Sequence, residues 1–398
     1  MDDIELSYYG KKNIDDILDS ISDAKMIKIK NNPVYINGDN FAVMSSLLAS
    51  GYKNSIDLVY IDPPFNTNQT FNVNGRRAST ISRNGSIVAY SDNLEPFEYL
   101  EFIRERLILI KELLSEKGSI YLHIDCKMGH YIKIIMDEVF GSNNFLNDIA
   151  RIKSNPKNFK RRAYGNQRDM ILFYAKYKGK NIFNNITQEL TEKEVESKFK
   201  KIDKDGRRYN TVPVHAPGET TIGETGGSWR NMLPPKGRHW RTSPKELDRL
   251  DKAGLIEWSK NGVPRIKKYA DEHKGKKIQD IWSYIDPAYP LYPTEKNLDM
   301  LKMIIQQSSN QDSLIMDCFA GSGSTLLAAE QTGRKWIGID QSKYSAKVVR
   351  ERFNNVKFDY IDFSKIKDKI IKNDDVVIDP TNSEIKILKS VTQTKLTI

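Results

Sequence analysis

The sequence predicts an α/β protein built around a largely parallel sheet. Three observations predict it: a strand–helix–strand run over residues 55–125, a second over 295–340, and a polar, turn-rich stretch at 181–280 between them. In the first run, SIDLVYID (55–62) is a short apolar segment suited to a buried strand. YLEFIRERLILIKELLSE (99–116) repeats apolar residues at helical spacing, and GSIYLHID (118–125) returns to strand character behind a glycine that reads as the helix stop. In the second run, EKNLDMLKMIIQQS (295–308) reads as a helix, SLIMDCFAG (313–321) as a strand entering a turn, STLLAAEQTG (324–333) as a helix and KWIGID (335–340) as a strand. PGETTIGETGG (217–227) and PPKGRHWRTSP (234–244) interrupt this rhythm, so the region around them reads as an inserted lobe. The chain divides into an N-terminal extension (1–32), a first α/β half (33–180), the lobe (181–280), a second α/β half (281–355) and a C-terminal extension (356–398) with no assigned role. No repeat at solenoid or propeller period is present.

Composition narrows the function classes. A chain of 398 residues, 39% hydrophobic and 29% charged, is long enough for two or three lobes around a sizeable core. Two cysteines, Cys126 and Cys318, are too few for a disulfide framework or a four-cysteine zinc site, and the five histidines lack ligand spacing, so no metal is expected. His123 and His130 read as core or helix-start residues. The opening MDDIELSYYGKKNIDD lacks signal-peptide character, and no apolar run reaches the roughly 18 residues of a membrane span; a cytoplasmic protein is expected.

Lys plus Arg total 62 against 52 acids, a net charge of +10, which points to a polyanionic partner. The surplus is concentrated: residues 151–180 carry ten basic side chains and one acid, and 201–277 carry eighteen and ten. Lys160, Arg161 and Arg162 in the first stretch, and Arg238, His239 and Arg241 in GRHWR, are the candidates for phosphate or groove contacts, with Trp240 as an anchor of the lobe.

Two short motifs stand at the carboxyl ends of expected strands, where open α/β sheets place ligands. In DPPF (62–65), two prolines fix a turn with outward carbonyls, Asp62 adds a carboxylate, and Phe65 offers a stacking face. Such acceptors match an exocyclic amino group, although a capped proline turn explains the tetrapeptide equally well. In DCFAGSGST (317–325), Gly321 and Gly323 lie between strand and helix, where a ligand can approach backbone. Leu326 occupies the position of the third glycine of a dinucleotide fingerprint, which argues against a nicotinamide cofactor. Asp340 ends the next strand 17 residues after Gly323, a spacing suited to ribose hydroxyls, while an exposed strand-end acid is the plainer alternative.

With these motifs in order, the chain resembles the bacterial DNA amino-methyltransferases of the β arrangement and is similar to type II and type III modification subunits. The resemblance covers VYIDPPFNT (59–67), FIRERLILIKELLSEKGSIYLHID (102–125), GRRY (206–209), PPKGRHW (234–240) and the segment from YPTEK to GRKWIGID (292–340), within about residues 33–355. It implies a circularly permuted, Rossmann-like S-adenosylmethionine-dependent methyltransferase sheet with an inserted target-recognition lobe. It implies methylation of N6 of a flipped adenine in double-stranded DNA, with Asp62, Pro63, Pro64 and Phe65 around the amino group and Asp62 also bordering the cofactor.

On the cofactor, the resemblance places Phe319, Gly321 and Gly323 at the methionine end, with Asp317 and Ala320 in the same run. It puts Asp340 on the ribose, Thr294 and Lys296 on the carboxylate and Asp39 on the adenine, although Asp39 equally suits an N-cap of FAVMSSLLAS. Cys318 stands where relatives usually carry Pro, and Phe65 where Tyr is commoner. N4-cytosine methylation, a non-catalytic DNA-binding relative and an RNA methyltransferase are the competing readings. A separate restriction subunit and a homodimer are compatible with the resemblance. No Walker A sequence is present.

Overall fold

The structure, a computed structural model, describes residues 5–30, 33–64, 70–74, 77–79, 87–91, 94–156, 160, 162–220, 223–287, 295–366, 376–377 and 386–387. Two compact units separate: Ile186–Ile278, and the remainder of the chain on both sides of it.

In the larger unit the strands of the main sheet are β1 (Val34–Asn37), β2 (Ile56–Ile61), β3 (Leu114–Ile124), β4 (Phe145–Ile152), β5 (Arg168–Ala175), β6 (Ile281–Ser283), β7 (Leu314–Asp317), β8 (Lys335–Asp340) and β9 (Asp359–Asp362). They form one sheet in the order β6-β4-β5-β3-β2-β7-β8-β1-β9. Only β5 runs against its neighbours, pairing antiparallel with β3 and β4. The helices are α1 (Ile14–Asp19), α2 (Asn40–Ala49), α3 (Pro96–Leu113), α4 (Gly129–Phe140), α5 (Leu298–Ser308), α6 (Ser324–Gln331) and α7 (Lys343–Arg352). Continuous apolar strands such as LVYI in β2 and WIGI in β8 are what a sheet covered on both faces requires, and both are buried.

The two α/β halves, distant in sequence, meet at the centre: Ile315 and Met316 of β7 pair with Leu58 and Val59 of β2. The result is the α/β sheet that the resemblance implies. One local expectation differs. Gly118 does not stop α3; the helix ends at Leu113 and β3 begins at once at Leu114. Gly118 lies inside the strand, where a Cβ would stand 2.8 Å from the carbonyl oxygen of Ile56, beside the register shift between Ile56 and Leu58. The signal was close backbone approach, which single-sequence reading does not separate from a helix stop. The N-terminal segment packs on α3: Tyr8 donates to Glu101 at 2.6 Å, and Arg104 donates to the Lys12 carbonyl at 3.0 Å and to Glu138 at 2.9 Å.

The unit Ile186–Ile278 has its own four-stranded sheet, in which Arg208–Pro213 and Pro264–Tyr269 pair antiparallel, and a core of Val214, Trp229, Trp240, Leu247, Ile256 and Ile266. Trp240 is buried edge-on against Trp229, and its indole donates to the Gly227 carbonyl at 2.7 Å. In GRRY, Arg207 stacks on Tyr269 and pairs with Asp271 and Glu272, so part of the basic surplus is neutralised within the unit.

Gly338 sets how closely α6 approaches β8, because a Cβ there would overlap the Leu326 side chain. Gly338→Ala is expected to cost about 1–3 kcal/mol by overpacking, read as a lower urea midpoint with an unchanged slope.

Candidate active site

Four neighbouring parallel strands, β2, β7, β8 and β1, end at the same edge of the sheet, and each brings an aspartate there. Asp317 and Asp340 close β7 and β8; Asp62 follows β2 by one residue and Asp39 follows β1 by two. All four line a cavity of about 520 Å³ together with Glu295, Lys296, Phe102, Phe319, Ala320, Gly321 and Pro64. Five carboxylates thus face one ammonium among the lining residues. The volume suits a nucleoside-sized ligand, and the charge suits a cationic one.

Each acid is held differently. Asp340 accepts the backbone N–H groups of Gly321 and Ser342, both at 2.8 Å, while burial raises its pKa. Asp317 accepts from the Phe319 N–H at 2.9 Å; burial pushes its pKa up to about 7, helped by the charges of Asp62 and Asp340 and opposed by Thr325. Asp39 caps α2 through the Ala42 N–H at 3.0 Å and meets Arg106 Nη2 at 3.3 Å, so the capping role left open by the sequence is realised and the residue still lines the cavity. Arg106 lies 3.6 Å above the Phe102 ring and donates to Asn40 Oδ1 at 2.7 Å; Asn40 in turn donates to the Cys318 carbonyl at 2.9 Å. The turn after β7 is thereby tied to α2 and α3.

Asp62 Oδ2 accepts from Lys296 Nζ at 2.5 Å. Lys296, expected to hold a ligand carboxylate, is therefore engaged with Asp62 while also lining the cavity. Oδ1 of Asp62 is buried, has no hydrogen-bond partner among the described residues, and lies 3.9 Å from His123 Nδ1. Glu295 pairs with Arg352, which also donates to Ser324 Oγ at the start of α6.

Of the remaining expectations, Pro63 is buried beside Asp62. Gly321 lines the cavity at φ +49°, but Gly323 does not: at φ +73° it is the N-cap of α6, and a Cβ there would stand 2.9 Å from Val349 of α7. Its absent side chain serves helix packing and the turn. Phe65, Thr294 and Arg161 lie outside the described residues. Lys160 and Arg162 are exposed in the larger unit, apart in sequence and unit from Arg238, His239 and Arg241. Arg238 and Arg241 are exposed, whereas His239 is half-buried with Nδ1 2.7 Å from the Gly218 carbonyl oxygen. Arg151 and Lys153, counted in the basic stretch, turn onto Asp169 instead of outward.

Sequence reading missed Arg106, Asn40 and the buried partners Tyr60, Asp169 and Arg151 of His123, which is a core residue as expected. The available signal was charge inside apolar periodicity, as in FIRERLILI, where Arg104 and Arg106 are both buried. Among the described residues no group of His, Cys, Asp and Glu is placed to hold a metal ion, and no helix is long and apolar enough to cross a membrane.

Acids on adjacent strand ends around a glycine turn, beside an Asp-Pro-Pro turn, form a candidate ligand site at the place where open α/β sheets bind ligands. Compared with known proteins, residues 56–351 match the model of the DNA methylase family that comprises N6 and N4 methyltransferases. The chain belongs to this family and is a DNA methyltransferase. It is 41% identical to the type II methyltransferase M.EcaI of Enterobacter cloacae over 325 residues, covering 80% of this chain and 69% of that protein. It is 27% identical to the type II methyltransferase M.KpnI of Klebsiella pneumoniae, covering 78% and 79%. With the type III StyLTI Mod subunit of Salmonella typhimurium identity is 24%, and the match spans 52% of that longer protein. Among solved structures, the M1.HpyAVI–SAM complex matches 80% of this chain and 99% of that chain, with a TM-score of 0.42 and 17% identity.

The raised pKa of Asp317 gives a signed prediction. Its carboxyl binds a proton more tightly in the folded than in the unfolded chain, so its contribution to stability is lost as pH rises from about 4 to about 7. Asp317→Asn should therefore gain stability relative to the parent on going from pH 5 to pH 8, by on the order of 2 kcal/mol in chemical denaturation. Parallel pH dependence of the two proteins would show that the carboxyl ionises normally.

Proposed function

We propose that the protein is a site-specific methyltransferase that modifies the N6 amino group of an adenine in double-stranded DNA, as the modification activity of a restriction–modification system. The observation that carries this reading is the position of Asp62, at the rim of an acid-lined cavity with one carboxylate oxygen unpartnered among the described residues.

The cavity fits the donor by the chemistry of its lining. Five carboxylates suit a sulfonium and an ammonium, Lys296 suits a carboxylate, Asp340 suits ribose hydroxyls, and the Phe102 and Phe319 rings, edge-on at 6.1 Å, suit an apolar or aromatic portion. When bound, S-adenosylmethionine supplies an electrophilic methyl group on a positively charged sulfur. An adenine amino group is a weak nucleophile because its lone pair is delocalised into the ring. Asp62 and the Pro63 carbonyl accept its hydrogens and localise that pair, and the rigid proline turn holds both acceptors in place. A base inside a duplex must be extruded first, at a cost of a few kcal/mol, which stacking on Phe65 offsets in part. Lys160, Arg161, Arg162, Arg238, His239 and Arg241 supply phosphate and groove contacts, and residues 186–278 act as the target-recognition lobe.

The reading favours adenine over cytosine because Asp, not Ser, opens the Asp-Pro-Pro motif. Mass analysis of nucleosides from methylated DNA decides it: N6-methyladenine supports the reading, and N4-methylcytosine replaces it. Asp62→Ala should abolish transfer from tritiated donor while calorimetry still detects donor binding; retained turnover would remove Asp62 from the chemistry. Arg238→Ala combined with Arg241→Ala should weaken binding to all duplexes alike and lower the slope of log affinity against log salt by about one to two. An unchanged slope would take both arginines off the phosphates.

A further inference from the structure

Beneath Asp62 lies a chain of buried polar groups to which hydrogen bonding at the amino group assigns no task. The Tyr60 hydroxyl on β2 is 2.9 Å from His123 Nδ1 on β3, and His123 Nε2 is 3.2 Å from Asp169 Oδ2 on β5. Tyr60, His123 and Asp169 are all buried. Asp169 continues the chain: its Oδ1 accepts from Lys153 Nζ at 2.6 Å, its Oδ2 meets Arg151 Nη1 at 3.5 Å, and Arg151 pairs with Asp286. The Lys153 side chain is 31% exposed, so the chain reaches from the cavity wall to solvent.

The direction of the hydrogen bonds follows from charge. Burial works against ionisation of Asp169, but the bonds from His123 and Lys153 outweigh it and hold its pKa well below the usual carboxylate range. An ionised carboxylate only accepts, so Nε2 carries the imidazole hydrogen and Nδ1 is an acceptor. Burial, aided by the charge of Lys296, lowers the His123 pKa and keeps the resting ring neutral. Its Nδ1 lone pair then lies near the Tyr60 O–H and 3.9 Å from the buried Oδ1 of Asp62.

We propose that His123 takes the proton that amino-group methylation deposits on Asp62, acting behind the carboxylate as a positioning and proton-accepting residue. The proposal rests on the amino-methyltransferase reading and deepens it. In that reaction the amino nitrogen's electron pair forms the new N–C bond, and the C–S bond breaks with its pair going to sulfur. The nitrogen, left cationic, sheds one hydrogen as a proton to Asp62. Transfer of that proton from Oδ1 to His123 Nδ1, as the Tyr60 hydroxyl turns its hydrogen away from Nδ1, restores the carboxylate and leaves an imidazolium whose Nε2–H still faces Asp169.

Three features favour this transfer. An imidazole is ordinarily more basic than a carboxylate. Asp169, hydrogen-bonded to Nε2, favours the imidazolium. The 3.9 Å separation closes to hydrogen-bond length with about 1 Å of side-chain movement. The charged and titratable groups facing His123 are Tyr60 on β2, Asp62 after it, Asp169 on β5 and Lys296 before α5, with Arg151 acting through Asp169.

The test joins spectroscopy of the ligand-free protein to single-turnover kinetics. Nitrogen-15 imidazole spectra, assigned by loss of one signal set in His123→Gln, should show the Nε2–H tautomer at pH 7, and Asp62→Asn should shift the His123 titration to lower pH. An Nδ1–H tautomer, or a titration that Asp62→Asn leaves in place, overturns the coupling. In single turnover from pH 5.5 to 8.5, His123→Gln should lose at least tenfold in transfer rate at pH 7, flatten the acidic limb of the profile and keep donor affinity within twofold. A retained limb overturns the role. If His123→Gln does not fold, Asp169→Asn, which keeps the shape and removes the charge that sets the tautomer, should give the same kinetic loss; an unaltered rate and profile overturn the proposal. If the parent protein methylates no DNA amino group, the underlying reading falls and the proposal with it, whatever the spectra show.

Discussion

Four aspartates delivered to one edge by adjacent strands repel one another, and the architecture around them answers that repulsion. Asp62 is paired with Lys296, Asp39 with Arg106 and a helix cap, and Asp340 with two backbone amides. Asp317, the most deeply placed, is compensated by a proton as much as by hydrogen bonds, since burial lifts its pKa to about 7. Like charges this close in a low-dielectric pocket persist only if each is compensated, and a cationic ligand adds the compensation the protein lacks. The cavity is in that sense a cation site before it is anything more specific.

This constraint explains why residues far from the cavity matter to it. Arg106 is committed to Asp39, Asn40 and Phe102, and Asn40 to the Cys318 carbonyl, so α2, α3 and the turn after β7 share one hydrogen-bonded brace. Gly338 lets α6 lie close to β8, and Gly323 lets the turn enter α6 against α7. These contacts place backbone N–H groups and carboxylates around one hollow, a preorganisation that single loops on a looser scaffold would not hold. The Tyr60–His123–Asp169 chain lies behind Asp62, with His123 Nδ1 3.9 Å from its Oδ1.

Much of the fold was legible in local pattern. The strands at 55–62 and 335–340 and the helices at 99–116, 295–308 and 324–333 fall within a few residues of their observed bounds, because a sheet buried on both faces demands continuous apolar segments and its covering helices demand amphipathic ones. Gly118 was misread because a helix stop and a close backbone approach leave the same residue in the sequence. Lys296 and Gly323 were assigned to the ligand by their motifs; the structure pairs Lys296 with Asp62 and makes Gly323 the N-cap of α6, where a Cβ would crowd Val349. The basic surplus overstated the free positive charge, because Arg151 and Lys153 pair with the buried Asp169 and Arg207 pairs with Asp271 and Glu272.

The sequence by itself determined the class of architecture, the two motifs and their attachment to strand ends, since hydrophobic periodicity and proline or glycine stereochemistry are properties of contiguous residues. Only the tertiary structure decided that Asp39, Asp62, Asp317 and Asp340 share one cavity, that Arg106 and Lys296 neutralise two of them, and that a buried histidine stands behind Asp62. Those relations depend on strand order in the sheet and on burial. Residues separated by up to about three hundred positions become neighbours through pairings such as β2 with β7 and β8 with β1, which no local pattern encodes.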